Sequence, residues 1–234
     1  MRRPSEELSL QIQSVDLAPR SPTSHRAVLH TSRGDLHAIL HPAPGSDSGA
    51  VFVGGAIGGF AGPGDRLYAR WSDELPPRGI SCLRLHYRKS NFFEEAVLDV
   101  LGGVAFLKGT GVKRVVLVGH SFGGAVVITA GGLSDAVVAV AALSSQTYGA
   151  QGAAQVSPRP LLLVHGKSDT RLSHRCSEQI YSWAKEPKEL VLYDGAEHSL
   201  RECDAQLHAL MLDWLPAHLA AAPETPGARS DVPA

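Results

Sequence analysis

Val115-Val116-Leu117-Val118-Gly119-His120-Ser121-Phe122-Gly123-Gly124-Ala125 carries the most telling local pattern in the chain. Four continuous apolar residues, three of them β-branched, read as a strand buried on both faces. A helical stretch follows from Ala125 to Ala130. Between them lies G-x-S-x-G, at a strand-to-helix turn. Such a turn strains the serine backbone, exposes its oxygen, and needs small residues two positions to either side. The helix behind it aims free N–H groups and a positive dipole end at developing negative charge. With 24 glycines in the chain, the bare motif arises easily by chance. The strand before it and the helix after it give it weight, and Ser121 is the predicted nucleophile.

On either side the alternation of strand and helix continues. Residues 27–31 and 36–40 flank Arg33-Gly34-Asp35 and predict a hairpin. Residues 50–53 form a short apolar strand that ends in glycines. Leu67, Trp71 and Leu75 fall at helical spacing, and Pro76, Pro77 and Gly79 stop that helix. A strand is expected over 80–85. Asn91 and Glu94 resemble a capping box ahead of a face formed by Phe93, Val97, Val100, Leu101 and Val104. Strands follow over 136–143 and 161–164. Ser173 is a plausible N-cap for the stripe Cys176, Ile180 and Trp183. A last strand over 190–192 precedes an amphipathic helix with Leu207, Leu210, Met211, Trp214 and Leu215. The expected architecture is a mostly parallel eight-stranded sheet with an antiparallel N-terminal hairpin and helices on both faces. Residues 1–25 are expected to form a flexible extension, 26–220 the domain, and 221–234 a disordered tail.

The 234 residues suffice for one domain with a full core. Their net charge is -1 and 19% are charged. No basic excess exists to neutralise phosphates, so nucleic acid is not an expected partner. The longest apolar region, 125–143, is broken by Gly131, Gly132, Ser134 and Asp135, so no membrane insertion is expected. Cys82, Cys176 and Cys203 show no zinc or disulfide spacing. With a polar N-terminus, they point to a cytoplasmic protein.

A serine hydroxyl needs a base, and the base needs a carboxylate to hold its tautomer. Ligands and catalytic groups of parallel sheets sit beyond the carboxyl ends of strands. Of eleven histidines, His198 lies between the last strand and the last helix, and is the predicted base. Asp169 follows the strand 161–164 in His165-Gly166-Lys167-Ser168-Asp169 and is the predicted acid. Glu197 and Asp194 are weaker rivals. The resulting chain order is Ser, Asp, His.

An oxyanion needs two N–H donors. One is expected from Phe122. The other is expected from Gly54-Gly55-Ala56-Ile57-Gly58-Gly59, with Ala56 favoured over Ile57. Ile57, Tyr87 and Arg88 are the candidate substrate contacts, since they leave strands at the same edge. His120 reads as a packed neighbour and His165 as support for the acid loop. No residue cluster has metal-ligand spacing, and no cofactor is expected.

On the residues of the Gly54-Gly55 loop, the Ser121 motif, the Asp169 loop and His198, the chain resembles the α/β-hydrolase superfamily over about residues 26–219. Many members carry His-Gly where this chain has Gly54-Gly55. Only residues 146–158 occupy the place where larger members insert a cap. The chain is therefore similar to small capless members, dienelactone-hydrolase-like and carboxylesterase-like. Dienelactone hydrolases proper carry a cysteine nucleophile, and this chain has Ser121, so their substrate is not implied. The resemblance implies cleavage of a small ester, thioester or amide by a monomer or homodimer. An acyltransferase on the same triad and a non-catalytic binding protein on this scaffold are the alternatives.

Overall fold

A computed structural model describes residues 8–220. Nine strands and five α-helices alternate in it: β1 (Ile12–Ser21), β2 (Ser24–Thr31), β3 (Gly34–His41), β4 (Ser48–Val53), α1 (Leu67–Glu74), β5 (Ile80–His86), α2 (Phe93–Gly109), β6 (Arg114–His120), α3 (Phe122–Gly131), β7 (Val137–Leu143), β8 (Leu161–Gly166), α4 (Arg175–Trp183), β9 (Lys188–Tyr193) and α5 (Asp204–Leu219). All strands join one sheet in the order β1-β2-β3-β5-β4-β6-β7-β8-β9. β1, β2, β3 and β5 pair antiparallel in succession, and β4 to β9 are parallel.

The central strands are continuous apolar runs because both of their faces are covered. Val51 and Val53 of β4 and Leu117 of β6 face a core completed by α2, α3 and α4. Phe52, Val116 and Val118 face the opposite core, closed by α1 and α5. Each of these six side chains is fully buried, which stabilises the fold by roughly 1.5–3 kcal/mol apiece. The period of two along each strand thus assigns neighbours to different layers.

β1 corrects the eight-stranded sheet and, over residues 12–21, the flexible extension expected at 1–25, of which residues 1–7 lie outside the described residues. Residues 12–21 pair with β2 and make the sheet nine-stranded. Most of β1 is exposed, and its register shifts between Pro19 and Ser21. An edge strand tolerates such a proline, since its outer N–H groups have no ladder partner. The strand is held largely by main-chain pairing with β2, with Ile12 and Val15 packed against the core. The tail expected over 221–234 lies outside the described residues. No helix among the described residues is long and apolar enough to cross a membrane.

Two expected caps also differ. Asn91 does not cap α2: its φ is 63°, and Phe92 holds the cap position without a side-chain bond. Ser173 accepts the N–H of Arg175 through its Oγ at 3.3 Å, one residue ahead of the cap position His174. Between β7 and β8, residues 144–160 hold a single 3-10 turn, Ala153–Gln155. No cap covers the carboxyl edge of the sheet there.

Candidate active site

Ser121 stands between the end of β6 and the start of α3 with φ 58° and ψ −120°. A non-glycine residue in such a conformation costs about 1–3 kcal/mol and needs surrounding structure to impose it. The surroundings do so. The Ser121 N–H donates to the Leu143 carbonyl at 2.8 Å, and the Ser121 carbonyl accepts the Gly124 N–H at 3.0 Å. The flanking glycines are a packing requirement. A Cβ on Gly119 would strike the Gly123 carbonyl, and one on Gly123 would strike the Gly54 carbonyl.

The expected acid and base meet. His198 Nδ1–H donates to Asp169 Oδ2 at 2.7 Å. That bond leaves Nε2 as the free imidazole nitrogen. Asp169 Oδ1 accepts the N–H groups of Arg171 and Leu172, both at 2.8 Å. Burial raises the Asp169 pKa, but the bonds from Leu172, His198 and Arg171 outweigh it and hold the carboxyl below its ordinary value. The two loops interlock because a Cβ on Gly166 would strike the Ala196 carbonyl. The Ser168 N–H also donates to Ala196 at 3.0 Å.

The other candidates near His198 have different partners. Glu197 accepts the N–H and hydroxyl of Thr170 at 3.0 and 3.1 Å. Asp194 pairs with Lys167 at 2.8 Å. His165 is fully buried. It donates from Nε2 to Asp169 Oδ2 and to the Leu172 carbonyl, both at 3.0 Å, and its Nδ1 accepts from Ser177 at 2.8 Å. His120 donates from Nε2 to the His198 carbonyl at 2.8 Å, with ring centroids 4.9 Å apart. Burial pushes its pKa down to about 4, so it is a neutral brace beside His198.

The glycine-rich loop after β4 forms the opposite wall. Its turn closes through the Gly58 N–H and the Gly55 carbonyl at 2.8 Å. His86 Nδ1 accepts the Gly59 N–H at 3.2 Å. Gly55 faces Ser121, since a Cβ on it would lie 3.6 Å from that of the serine. Among the described residues, the N–H groups of Ala56, Ile57 and Phe122 meet no protein acceptor.

Residues 54–62, His120, Ser121, Arg171 and His198 line one cleft of about 450 Å³. The structure thus brings together Ser121, His198 and the loop carrying Ala56 and Ile57. It does not bring Arg88 there. Arg88 is almost wholly buried, paired with Asp99 through Nε and with Glu95 through Nη2 at 2.8 Å. Tyr87 is also buried. Its hydroxyl donates to the Gly54 carbonyl at 3.0 Å, and its ring meets Phe122 edge to face at 5.6 Å. Both were expected to touch substrate. Both instead brace the scaffold, because each finds a buried partner within reach of the strand end. Arg171 lines the cleft although sequence reasoning gave it no role. Its place two residues after Asp169 was the available signal.

A family model for dienelactone hydrolases matches residues 67–222, more than half of the chain. The uncharacterised protein YfhR of Escherichia coli strain K12 is 31% identical over 156 residues, which is 53% of this chain and 55% of that protein. The chain spans about half the length of the curated relatives it matches. The dienelactone hydrolase of Anabaena variabilis superposes with a TM-score of 0.73 at 17% identity, over 84% of this chain and 98% of that one. XC6422 of Xanthomonas campestris, an α/β serine hydrolase without a lid, superposes with a TM-score of 0.67 at 16% identity, over 88% of this chain and 100% of that one. At these identities the structural likeness speaks for the fold, which is the lidless α/β-hydrolase fold expected from the sequence.

Proposed function

The chain belongs to the dienelactone hydrolase family, and we propose that it is a serine hydrolase cleaving a small carboxylic ester through an acyl-enzyme on Ser121. The observation that carries this reading is the 2.7 Å bond from His198 to Asp169, in a cleft that His198 shares with a backbone-strained Ser121.

In the proposed reaction Ser121 Oγ attacks the ester carbonyl carbon while His198 Nε2 takes the hydroxyl proton. Asp169 keeps the Nδ1–H tautomer and stabilises the imidazolium. The unpartnered N–H groups of Phe122 and Ala56 receive the carbonyl oxygen as it gains charge. Donors fixed before the reaction need no reorganisation, and each is worth about 10²–10³-fold in rate. His198 then gives its proton to the leaving alcohol. Water, deprotonated by the same imidazole, attacks the acyl-enzyme and releases the acid. Without a cap, substrates reach the cleft from solvent, which favours small or surface-accessible esters.

The test is labelling with a fluorophosphonate and turnover of 4-nitrophenyl acetate. Wild type should label at one site and hydrolyse the ester. Ser121→Ala should lose both, with a fall of about 10⁴-fold or more in kcat. Labelling that persists in Ser121→Ala would reject the assignment. Product analysis with an added alcohol separates hydrolysis from acyl transfer.

A further inference from the structure

Ile57, Phe92 and Tyr148 are 85%, 62% and 67% exposed. They follow β4, β5 and β7, so all three stand at the edge that carries Ser121. Clustered exposed apolar groups mark contact sites more often than isolated ones do. Two of them border a second cavity, of about 460 Å³, walled by Asn91, Phe92, Phe93, Glu94, Phe122, Gln146 and Tyr148. We propose that this cavity is the acyl subsite of the hydrolase and that it takes a neutral aromatic acyl group.

The placement follows from the chemistry proposed above, on which this inference rests. His198 must protonate the leaving group, so the alcohol lies on the histidine's side of Ser121. His198 sits between Ala196 and Leu200, which belong to the core under α1 and α5. Phe122 and Phe93 pack in the opposite layer, with α2 and α3. The acyl group leaves Ser121 away from His198 and meets the Phe122 side. The loop with Gln146 adjoins the serine turn, since a Cβ on Gly124 would press on the neighbouring Ser145.

Three phenylalanine rings and Tyr148 line the cavity beside the polar Asn91, Glu94 and Gln146. Phe93 meets Phe122 edge to face at 5.9 Å and Tyr148 at 6.0 Å. This ladder holds the aromatics in place, while Phe92 and Tyr148 keep broad apolar surface in water. Gln146 donates from Nε2 to the Tyr148 carbonyl at 2.9 Å and fixes that loop. A flat aromatic acyl group would cover the exposed ring surface and add edge or stacking contacts. No lysine or arginine lines the cavity and Glu94 does, so an acyl group carrying its own carboxylate is disfavoured.

The experiment compares 4-nitrophenyl esters of butanoate, 3-phenylpropanoate and 3-(4-carboxyphenyl)propanoate, which share one leaving group. Wild type should prefer phenylpropanoate to butanoate by about tenfold in kcat/KM, and the added carboxylate should cancel the preference. Tyr148→Ala should bring the phenylpropanoate-to-butanoate ratio close to one, and Tyr148→Phe should keep it. Tyr148 is exposed, so its truncation leaves the core intact. A ratio at or below one in wild type, or a ratio indifferent to Tyr148→Ala, would overturn the subsite. So would an effect of Tyr148→Ala confined to acetates that differ in their alcohol. If these fail while 4-nitrophenyl acetate is still cleaved, only the subsite falls. Loss of all turnover and labelling in wild type would instead sink the hydrolase reading beneath it.

Discussion

Two loops leave neighbouring strands at one edge of the sheet and end in opposite conditions. Residues 54–59, after β4, keep the N–H groups of Ala56 and Ile57 without a protein acceptor, among the described residues, in a cleft beside Ser121. Residues 87–89, after β5, hold polar groups that are spoken for. Arg88 binds Asp99, Glu95 and the Arg33 carbonyl, and Lys89 reaches Glu95 at 3.2 Å. A charged sequence after a strand therefore says little about function by itself. What separates the loops is whether their polar groups find partners inside the fold. The proposed reaction uses the free donors at the strained serine, while a saturated ion network fixes a loop to a helix.

The largest effect that tests this contrast is expected in the second loop. Asp99→Asn removes the carboxylate from a fully buried pair and should cost about 3–5 kcal/mol of stability, read as a lower urea midpoint. The kcat/KM of the protein that remains folded should change by less than about threefold. A large kinetic loss without a stability loss would move the network into the active site and dissolve the contrast. Glu95 adds a pH signature to the same network. Bonds from Arg33, opposed by burial and reinforced by Lys89 and Arg88, pull its pKa from 4.5 to about 2. Between these values the unfolded chain binds the proton and the native one does not. Stability from this group is thus complete above about pH 4.5 and lost as pH falls toward 2. Glu95→Gln should flatten the stability profile in that window relative to wild type. Equal slopes for the two proteins would deny the network its charge.

In the first loop the expected damage is kinetic. Gly58 has φ +73°, and a Cβ there would enter the His86 ring. Gly58→Ala should shift residues 55–58 and lower kcat by about 10²-fold, the scale of one lost oxyanion donor, with KM moving less. An unchanged kcat would show that the donor loop lies elsewhere.

How much of this was legible in the sequence depends on where each signal resides. Ser121, Asp169 and His198 were singled out because each follows an apolar strand, and strand ends are visible in side-chain patterns; the structure sets His198 against Asp169 and in one cleft with Ser121. The cleft around Ser121 inherits that legibility. β1 was hidden because it is held largely by main-chain bonds to β2, with only Ile12 and Val15 packed on the core. Its exposed, mixed sequence with Pro19 carries no apolar period. Arg88 was misread because its partner is eleven residues on, across a loop. Yet Asp99 interrupts the apolar run Val97, Leu98, Val100 on α2. A charge placed on a buried face asks for a partner, and that demand was readable. Arg171 reaches the cleft only through the local turn its N–H makes with Asp169, which no periodicity encodes.

Tyr87 gives the smallest and sharpest test, because it belongs to one loop and bonds the other. Its hydroxyl donates to the buried Gly54 carbonyl, close to where a Cβ on Gly123 would fall. It therefore sits where the two proposed oxyanion segments meet. Tyr87→Phe keeps the ring against Phe122 and removes one hydrogen bond, which should cost about 1 kcal/mol of stability. If that bond positions the donors for the transition state, kcat should fall severalfold while KM holds, since a misplaced donor weakens the oxyanion more than the neutral ester. If kcat holds and only the melting temperature drops, Tyr87 acts as packing alone. The second loop would then contribute to the reaction no more than the scaffold on which the first is mounted.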